Sequence, residues 1–482
     1  MNFRMVFKII GRLMILMGIL IIIPFIISLA TSDGAWFGFL IPFLLLIVIG
    51  ISLALIKTKS DDLGVKDGLL TVSLSWIILS LVGTLPYLIS RQIPSFIDAL
   101  FESVSGFTTT CATTLAHIED LTLSVQFWRA FSQWIGGCGV LSVAIALAPK
   151  SKENSAHVLR AESTGFKENK LVSKVKVSTR ILIIIYVVFT LAEFLLLLPS
   201  GISVFDSVTI AFSTLSTGGF IGYSNNMAHF NNLYVEIIVG IFLILASLNF
   251  TVYYLIIAGK FSRVLKNEEI KCFFIMMAVS IIILTSTLYA SKTYESFTES
   301  LRYSAFHAVS MSSTAGFFTT NLGAWPAVCQ MILMLLVFVG GSAGSTAGGI
   351  KISRLIVLFK SGYYSMKKAV KPNTIYRIKF NGETLGDIQV GAILNYVLIY
   401  LALAVVSFIA VSLSELVSSQ YTYDMLGNLS SVIYSLSNTS VASGSYTMFN
   451  PVTKLILSFN MLAGRLELYP ILLLFFPPAW KK

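Results

Sequence analysis

The sequence predicts an all-α polytopic membrane protein in which a unit of span, pore helix, filter loop and span is repeated four times with fourfold pseudo-symmetry. Three observations predict this fold. The 482-residue chain is 56% hydrophobic and only 12% charged, a balance that soluble domains of this length do not carry. Apolar runs of about 20 residues recur along the chain, and each is long enough to cross a bilayer. Four short Ser/Thr-rich segments lie between these runs and resemble one another: 106–113, 213–220, 312–317 and 436–442.

Two leading spans precede the repeats, near residues 9–30 and 35–57. The first apolar run is too long for a cleaved signal peptide, and no small-residue cleavage site follows it, so we expect it to be retained. The predicted division of the chain is two leading helices over 1–66, the first repeat over 67–150, a cytosolic loop and the second repeat over 151–265, the third repeat over 266–370, and a cytosolic loop and the fourth repeat over 371–482.

Each repeat is predicted to contain a span, a short pore helix and a second span. The predicted segments are 68–90, 96–109 and 127–148; 177–199, 203–216 and 233–258; 271–290, 297–314 and 328–358; and 388–416, 422–437 and 452–476. The pore helices and the turns after them are too short and too polar to span. Non-helical backbone at membrane depth is tolerated only where it is buried in protein or lines water. The sequence therefore predicts ten spans and a pore in which backbone carbonyls bind a cation.

An acidic residue lies near the start of every predicted pore helix: Asp98, Asp206, Glu299 and Asp424. A carboxylate is favourable at the positive end of a helix dipole, and Asp206 and Asp424 are also predicted N-caps. We expect these acids near the outer mouth, together with Glu102, Glu119 and Asp120, where they would raise the local concentration of cations. The opposite helix ends, with partial negative charge, would face the bound cation.

The net charge of +11 is concentrated in the loops 150–180, 260–271 and 351–379. These loops alternate with connections that carry acids and few lysines, which is the positive-inside pattern. We therefore expect the basic loops and both termini to be cytoplasmic. This topology explains the charge without a nucleic-acid partner, so none is expected, and it is compatible with docking of a cytosolic protein.

Candidates for catalysis or for a structural metal are absent from the sequence. The four cysteines and four histidines are scattered, without CxxC spacing, so neither a zinc site nor a disulfide framework is indicated. No His-Glu-x-x-His motif, paired-Asp motif or Gly-x-Ser-x-Gly motif occurs at a span. We therefore expect no covalent cofactor and no enzymatic activity.

Two irregular features lie in the spans that follow the filter loops. The small residues of 340–349 should break the third repeat's helix, because each glycine costs roughly 1 kcal/mol against alanine. The resulting loop could gate the pore, and the alternative is a close-packing motif of small residues. A buried Arg465 would be an electrostatic barrier or a tether for that loop. The alternative is a structural ion pair with an acid from another repeat, because Glu467 points to a different side of the helix.

These segments together resemble the TrkH/TrkG/KtrB/HKT superfamily of cation transporters, most closely its bacterial TrkH branch. The resemblance is carried by 105–110, 134–137, 216–220, 313–317, 340–349 and 463–467, in order and at the expected spans. It implies gated K⁺ uptake, sometimes Na⁺ uptake, inward down the electrochemical gradient in the bacterial plasma (inner) membrane. It also implies a homodimer in the lipid bilayer, with one pore per protomer, and a cytosolic TrkA-type nucleotide-binding regulatory ring.

The resemblance also implies which residues form the filter and the gate. The filter would consist of Thr109, Thr110, Cys111, Thr217, Gly218, Gly219, Thr314, Ala315, Gly316, Asn438, Thr439 and Ser440. K⁺ would be held by the backbone carbonyls of Thr110, Cys111, Thr217, Gly218, Thr314, Ala315, Asn438 and Thr439. Gating would use Gly344, Ser345, Thr346, Ala347, Gly348 and Arg465.

One filter position departs from the family pattern, which places a glycine there in each loop. Here the four positions read Cys111, Gly219, Gly316 and Ser440. Glycine reaches backbone conformations that other residues avoid. The Cys111 and Ser440 side chains would crowd the filter or turn toward the pore. A Na⁺-preferring or weakly selective transporter is therefore the alternative function, and a regulatory subunit with a degraded filter is a further one.

Overall fold

The computed structural model describes residues 2–58, 65–139, 175–374, 376–418, 425–440 and 446–480. Several predicted features lie outside the described residues: the end of the first repeat's second span (140–148), most of the first basic loop (150–174), Asp424, residues 441–442 and the C-terminal lysines 481–482.

Helices dominate the described residues. They are α1 Phe3–Thr31, α2 Phe37–Ala54, α3 Val65–Gly83, α4 Leu85–Ile89, α5 Phe96–Phe107, α6 Leu123–Gly137, α7 Val175–Leu197, α8 Val204–Leu215, α9 Leu233–Ser247, α10 Phe250–Ile257, α11 Phe261–Leu265, α12 Glu268–Ala290, α13 Phe297–Ser312, α14 Ala327–Val339, α15 Ile352–Val370, α16 Asp387–Ser418, α17 Met425–Leu436, α18 Pro451–Arg465, α19 Tyr469–Leu472 and α20 Pro477–Trp480. A short antiparallel hairpin of β1 Lys379–Phe380 and β2 Glu383–Thr384 connects α15 to α16.

Six helices are long and apolar enough to cross a membrane, or seven if one bent pair counts as a span. The six are Phe3–Thr31, Phe37–Ala54, Lys66–Ile89, Ile181–Ser200, Glu268–Ala290 and Asp387–Val417. They correspond to the two leading spans and to the first span of every repeat. Among the described residues, the second span of each repeat is too short or too bent to meet the same test.

The second spans are interrupted more often than the sequence predicts. A break was expected only in the third repeat, where α14 ends at Val339 and α15 begins at Ile352. In the second repeat, α9 and α10 meet at 90°, because the Asn249 side chain accepts a hydrogen bond from the Thr251 amide at 2.8 Å and caps a new helix. In the fourth repeat, two consecutive left-handed residues, Glu467 and Leu468, follow the end of α18. The continuous helices expected over 233–258 and 452–476 were therefore wrong.

The four pore helices are α5, α8, α13 and α17, and serine caps three of them. The Ser95, Ser203 and Ser296 side chains accept hydrogen bonds from the amides of the acids three residues later, at 3.4, 3.0 and 3.1 Å. Each serine is therefore the N-cap and the acid is the third helical residue, which is the serine half of a capping box. The prediction that Asp206 is itself the N-cap was wrong, because Ser203 occupies that position and Asp206 lies in the first turn.

Polarity is distributed as in a protein surrounded by lipid. Large apolar side chains point outward, and Val48, Ile282 and Leu398 are each about two-thirds exposed. The serines and threonines around the ends of the pore helices are buried instead, with Ser213 and Thr314 fully inaccessible. Because lipid solvates apolar groups, such a chain places its polar groups inward. The polar interior is the region where the four pore helices converge.

Candidate functional site

The four pore helices end in the same backbone motif. The amide of the second residue past each helix cap donates to the carbonyl five residues earlier: Thr110 to Ser105 at 2.9 Å, Gly218 to Ser213 at 2.8 Å, Ala315 to Ser310 at 3.0 Å and Thr439 to Tyr434 at 3.0 Å. The preceding residue is left-handed in each case, with φ of 59°, 52°, 60° and 53° at Thr109, Thr217, Thr314 and Asn438. This is the Schellman motif. Threonine is unfavourable in this conformation, so strain recurs at equivalent points of the first three repeats, whereas Asn438 tolerates the conformation in the fourth.

A second left-handed residue follows in three of the four loops. Cys111, Gly219 and Gly316 have φ of 65°, 88° and 73°. Ser440, at the equivalent position, is not among the described residues with positive φ. Cys111 therefore adopts the strained conformation that glycine normally occupies, whereas Ser440 avoids it. The backbone of the fourth loop departs from that of the other three at this position.

Contacts between successive loops close a ring. A Cβ added at Gly219 would lie 3.2 Å from the Cys111 sulfur and 2.0 Å from the Ala315 carbonyl oxygen. A Cβ added at Gly316 would lie 1.9 Å from the Ser440 carbonyl oxygen. The ring closes where the side-chain amide of Asn438 donates a hydrogen bond to the Thr110 hydroxyl at 3.3 Å. Glycine is therefore required at two positions by close approach as well as by φ.

Hydrogen bonds from behind the ring hold the second and third loops. The Ser213 hydroxyl donates to the Phe220 carbonyl, and the Ser310 hydroxyl donates to the Phe317 carbonyl at 2.8 Å. At the corresponding places, the first repeat has Ser105, whose buried hydroxyl has no hydrogen-bond partner among the described residues, and the fourth repeat has Tyr434. The two loops that keep glycine therefore share a serine hydrogen bond, which Ser105 does not form among the described residues of the first repeat and for which the fourth repeat has Tyr434 in place of serine.

Two further side chains hold the second loop, and sequence reasoning missed both. The Gln133 side-chain oxygen accepts a hydrogen bond from the backbone amide of Phe220 at 3.0 Å. The side-chain amide of Asn226 donates to the Gly219 carbonyl at 3.2 Å. A signal for the serines existed, since Ser213 and Ser310 each lie six residues before the filter glycine. Gln133 and Asn226 lie outside the loops and gave no comparable signal.

The acids expected at the outer mouth are mostly engaged. Glu102 is fully buried against Arg129, so its expected place at the mouth was wrong. The Asp98 carboxylate accepts a hydrogen bond from the Lys454 ammonium at 2.6 Å. Glu119 accepts from the amide and the hydroxyl of Ser224, both at 2.6 Å. Partial burial would raise the pKa of the Glu119 carboxyl, but these hydrogen bonds outweigh it and hold that pKa below its usual range.

A cavity of about 200 Å³ lies on the side of the ring that faces the glycine-rich loop of the third repeat. Its lining brings together the sequence-predicted gate and filter, because it includes residues 344–349, Asn438, Gly464 and Arg465. Lys351 and Glu467 also line it. The predicted gating residues and the filter residue Asn438 therefore face the same space.

The glycine-rich loop packs directly beneath the ring. The Gly348 amide donates to the Thr314 hydroxyl at 2.7 Å, and a Cβ at Gly348 would lie 1.9 Å from the Ser437 carbonyl oxygen. The same close packing occurs at Gly136, whose Cβ would lie 1.8 Å from the Phe107 carbonyl, and at Gly464, 2.1 Å from the Leu436 carbonyl. The small residues therefore serve close packing, and in the third repeat the packed segment is also an irregular loop under the filter.

Charged side chains bind the backbone of this loop. Arg465 donates to the carbonyls of Thr346 and Gly136, at 2.9 and 2.7 Å. Lys351 donates to the Ala347 carbonyl, and Glu269 accepts from the Ala343 amide at 2.6 Å. The sequence placed Lys351 only at the start of the basic loop 351–379, which was expected to be cytoplasmic, and indicated no role for Glu269.

The acid that follows the end of α18 has another partner. The Glu467 carboxylate pairs with Arg354 at 2.6 Å, which agrees with the expectation that Glu467 is not the obvious partner of Arg465. The contacts of Arg465 with the two carbonyls fit the tether interpretation.

The atoms that this site offers as ligands to a cation are oxygens. In the described part of the chain, no group of three or more His, Cys, Asp or Glu side chains is placed to hold a metal ion. The ring instead presents backbone carbonyls and the hydroxyls of threonine and serine, which suit an alkali cation that exchanges its hydration shell for carbonyl oxygens.

Comparisons with known proteins agree with this geometry. The family model "TrkH: Cation transport protein" matches residues 37–481. The chain is 33% identical to the Trk system potassium uptake protein TrkH of Escherichia coli K12, covering 100% of both chains. It is 30% identical to the Trk system potassium uptake protein TrkG of the same strain, covering 99% of both chains. The crystal structure of the potassium transporter TrkH from Vibrio parahaemolyticus matches with a TM-score of 0.88, at 30% identity over 100% of both chains.

Proposed function

Because this chain belongs to the TrkH family of cation transport proteins, we propose that it is a gated membrane subunit that conducts K⁺ inward down the electrochemical gradient. It is a multi-pass membrane transporter rather than an enzyme. The observation that carries the proposal is the closed ring of four loops, each following a Schellman-capped pore helix. A membrane potential contributes roughly 2.3 kcal/mol per charge per 100 mV, which is enough to concentrate a monovalent cation.

The ring is the proposed selectivity filter. K⁺ is held by the backbone carbonyls of Thr110, Cys111, Thr217, Gly218, Thr314, Ala315, Asn438 and Thr439. The C-terminal ends of the four pore helices contribute partial negative charge at the same place. Two observations support this assignment: the left-handed residues recur in all four loops, and successive loops are in contact around the ring.

The loop beneath the ring is the proposed gate. Residues 344–348 narrow the path below the filter, and Arg465 holds them through the Thr346 carbonyl. The loop has few side chains to pack and is held mainly by hydrogen bonds to its backbone. Loss of those hydrogen bonds would let it move away from Thr314 and open the path.

The environment and the partners are inferred from the family and from charge. Relatives of this chain are named Trk system potassium uptake proteins. From the family resemblance we infer a bacterial inner-membrane location, a homodimer and a cytosolic TrkA-type nucleotide-binding ring. Exposed Lys367, Lys368 and Lys371 at the end of α15 fit a cytoplasmic face that carries both termini. Such a face would also suit a partner that moves the gate.

A second candidate function is weakly selective or Na⁺-preferring transport. The observation that favours it is that Cys111 takes a left-handed φ of 65° where the other loops use glycine or change backbone conformation. Strain at this position could be relieved by a small displacement of the Cys111 carbonyl, which would alter the size of the cation site.

The test is flux of Rb⁺ and Na⁺ into proteoliposomes that contain the purified protein. We expect Rb⁺ flux to exceed Na⁺ flux, and Gly219→Ala to abolish both, because its Cβ would lie 2.0 Å from the Ala315 carbonyl. Gly240→Ala is the matched control, since a Cβ there meets nothing within 4 Å. Na⁺ flux equal to or above Rb⁺ flux would favour the second candidate. Equal flux in wild type and Gly219→Ala would contradict the assignment of the filter.

A further inference from the structure

A buried ion pair lies directly behind the first two filter loops. Glu102 is on the pore helix α5, Arg129 is on α6, and Arg129 Nε lies 2.7 Å from Glu102 Oε1. The two side chains are 0% and 1% exposed. Burying two charges has a large desolvation cost, so a buried pair is a weak source of stability by itself. Its other contacts indicate what the pair does.

Each partner also binds the chain segment that leaves a filter loop. Glu102 accepts hydrogen bonds from the Thr113 hydroxyl at 3.1 Å and from the Thr114 amide at 3.4 Å, and both residues follow the first loop. Arg129 donates to the Ile221 carbonyl at 3.4 Å, and its guanidinium lies 4.1 Å from the centre of the Phe220 ring. Both of these residues follow the second loop. The pair therefore connects the exits of two adjacent loops.

The first loop needs such a support more than the second and third loops do. The serine that holds those loops has an equivalent in Ser105, whose hydroxyl has no hydrogen-bond partner in the described part of the chain. Cys111, two residues before Thr113, is strained at a φ of 65°. Cys111 and Arg129 also line one small cavity, together with Gly316 and Ser440. Displacement of the segment around Thr113 would therefore reach the filter position Cys111 directly.

We propose that Glu102 and Arg129 are positioning residues that set the separation of the first and second filter loops and thereby the size of the cation site at Cys111. The pair carries no net charge, so the Glu102 carboxylate offsets the repulsion between the guanidinium and a cation in the filter. This inference rests on the proposed transport function for its effect on selectivity. Its geometric part, the support of the Cys111 loop, does not depend on transport.

The first test compares the double variant Glu102→Gln/Arg129→Gln with wild type in proteoliposomes. Removing both charges avoids leaving an unpaired buried charge, so the variant is expected to fold. Loss of the charged hydrogen bonds to two loop exits should lower the Rb⁺/Na⁺ flux ratio by about tenfold. The matched control is Glu236→Gln/Arg302→Gln, which removes an ion pair joining α9 to the pore helix α13 at 2.6 Å. The control should keep the wild-type ratio.

The second test does not require ion flux. In a background with Cys138, Cys272 and Cys329 replaced by serine, Cys111 is labelled with a membrane-impermeant thiol reagent. The double variant should be labelled about tenfold faster than wild type, because the supporting hydrogen bonds are lost. Arg129→Lys retains the charge but loses the planar fork, so it serves as a milder variant if the double variant fails to fold, and it should change both readouts in the same direction.

The outcomes separate the two proposals. No Rb⁺ or Na⁺ flux in wild type would contradict the proposed function, and faster labelling of Cys111 in the variant would still support the positioning role. Rb⁺-selective wild-type flux, together with a folded variant whose flux ratio and labelling rate are unchanged, would overturn the positioning role and leave the proposed function intact. Equal changes of the flux ratio and the labelling rate in the variant and in its Glu236/Arg302 control would also overturn the positioning role. The effect would then follow from the loss of any ion pair, not from the loss of this one.

Discussion

Arg465 donates a hydrogen bond from its guanidinium to the Thr346 carbonyl, 2.9 Å away, across the cavity beneath the filter ring. The two residues belong to the fourth and third repeats. Carbonyl groups in the middle of a broken helix lack their usual intrahelical partners, so the guanidinium satisfies one that would otherwise be unpaired. Arg465 is therefore one of several side chains, with Glu269 and Lys351, that hold the glycine-rich loop, and of these three it is the one that comes from another repeat.

We expect Arg465→Gln to raise cation flux in the absence of any cytosolic partner. The shorter, neutral side chain would lose the charged hydrogen bonds to Thr346 and Gly136, and loss of one such bond weakens a closed state by about 1.5–3 kcal/mol. The measurement is Rb⁺ efflux from proteoliposomes, with the double variant Glu236→Gln/Arg302→Gln as control because it removes an arginine without leaving its partner unpaired. Unchanged efflux with normal folding would mean that these contacts do not hold the gate, and complete loss of efflux would favour a structural role for Arg465.

Cys111 and Ser440, which stand at filter positions where the other two loops have glycine, should respond differently to substitution by glycine. Cys111→Gly should raise the midpoint of thermal unfolding and the Rb⁺/Na⁺ flux ratio, because glycine removes a left-handed cost of about 1–2 kcal/mol. Ser440→Gly should not give this increase in the unfolding midpoint or in the Rb⁺/Na⁺ flux ratio, since Ser440 does not share the positive φ. Thermal unfolding and paired Rb⁺ and Na⁺ flux measure both effects. Identical responses from the two variants would contradict the conformational difference between the first and fourth loops.

Gly348→Ala should displace the loop from the filter. Its Cβ would lie 1.9 Å from the Ser437 carbonyl oxygen, and overpacking of a filled site typically costs about 1–3 kcal/mol. Gly362→Ala is the matched control in α15, where a Cβ meets nothing within 4 Å, and alanine should stabilise that helix by up to about 1 kcal/mol. Thermal unfolding of the purified variants should therefore shift in opposite directions. A shift of the same sign would indicate that the loop has room at Gly348.

The ion pair of Asp98 and Lys454 should stabilise the contact between the first and fourth repeats. It joins the pore helix α5 to α18, and the Lys454 side chain is only 9% exposed. Lys454→Met should destabilise the protein by leaving the Asp98 carboxylate unpaired, and Asp98→Asn/Lys454→Met should recover part of the loss. A double-mutant cycle of thermal unfolding free energies measures the coupling. Strictly additive effects would show that the pair contributes no coupling energy.

Several parts of the site could be predicted because they repeat along the chain. The pore helices that end in the Ser/Thr-rich segments, the acids Asp98, Asp206 and Glu299 in their first turns, and the helix break predicted at 340–349 are local patterns, and among the described residues each lies where the sequence indicated. The capping serines were missed although they are local too: Asp206 was assigned the N-cap role that belongs to Ser203, and no capping role was assigned to Ser95 or Ser296. The bend at Asn249 was missed because an asparagine between two apolar runs is a weak signal.

The sequence by itself determined the helical membrane fold, the four pore segments and the unusual residues Cys111 and Ser440, because hydropathy, helix breaking and residue identity are local properties. Only the tertiary structure decided which loops touch, that Asn438 closes the ring on Thr110, that Glu102 is buried against Arg129 and that Arg465 reaches Thr346. Each of these contacts joins residues from different helices or repeats. Their geometry depends on how the helices pack around the common axis, and no periodicity along one chain segment records that packing.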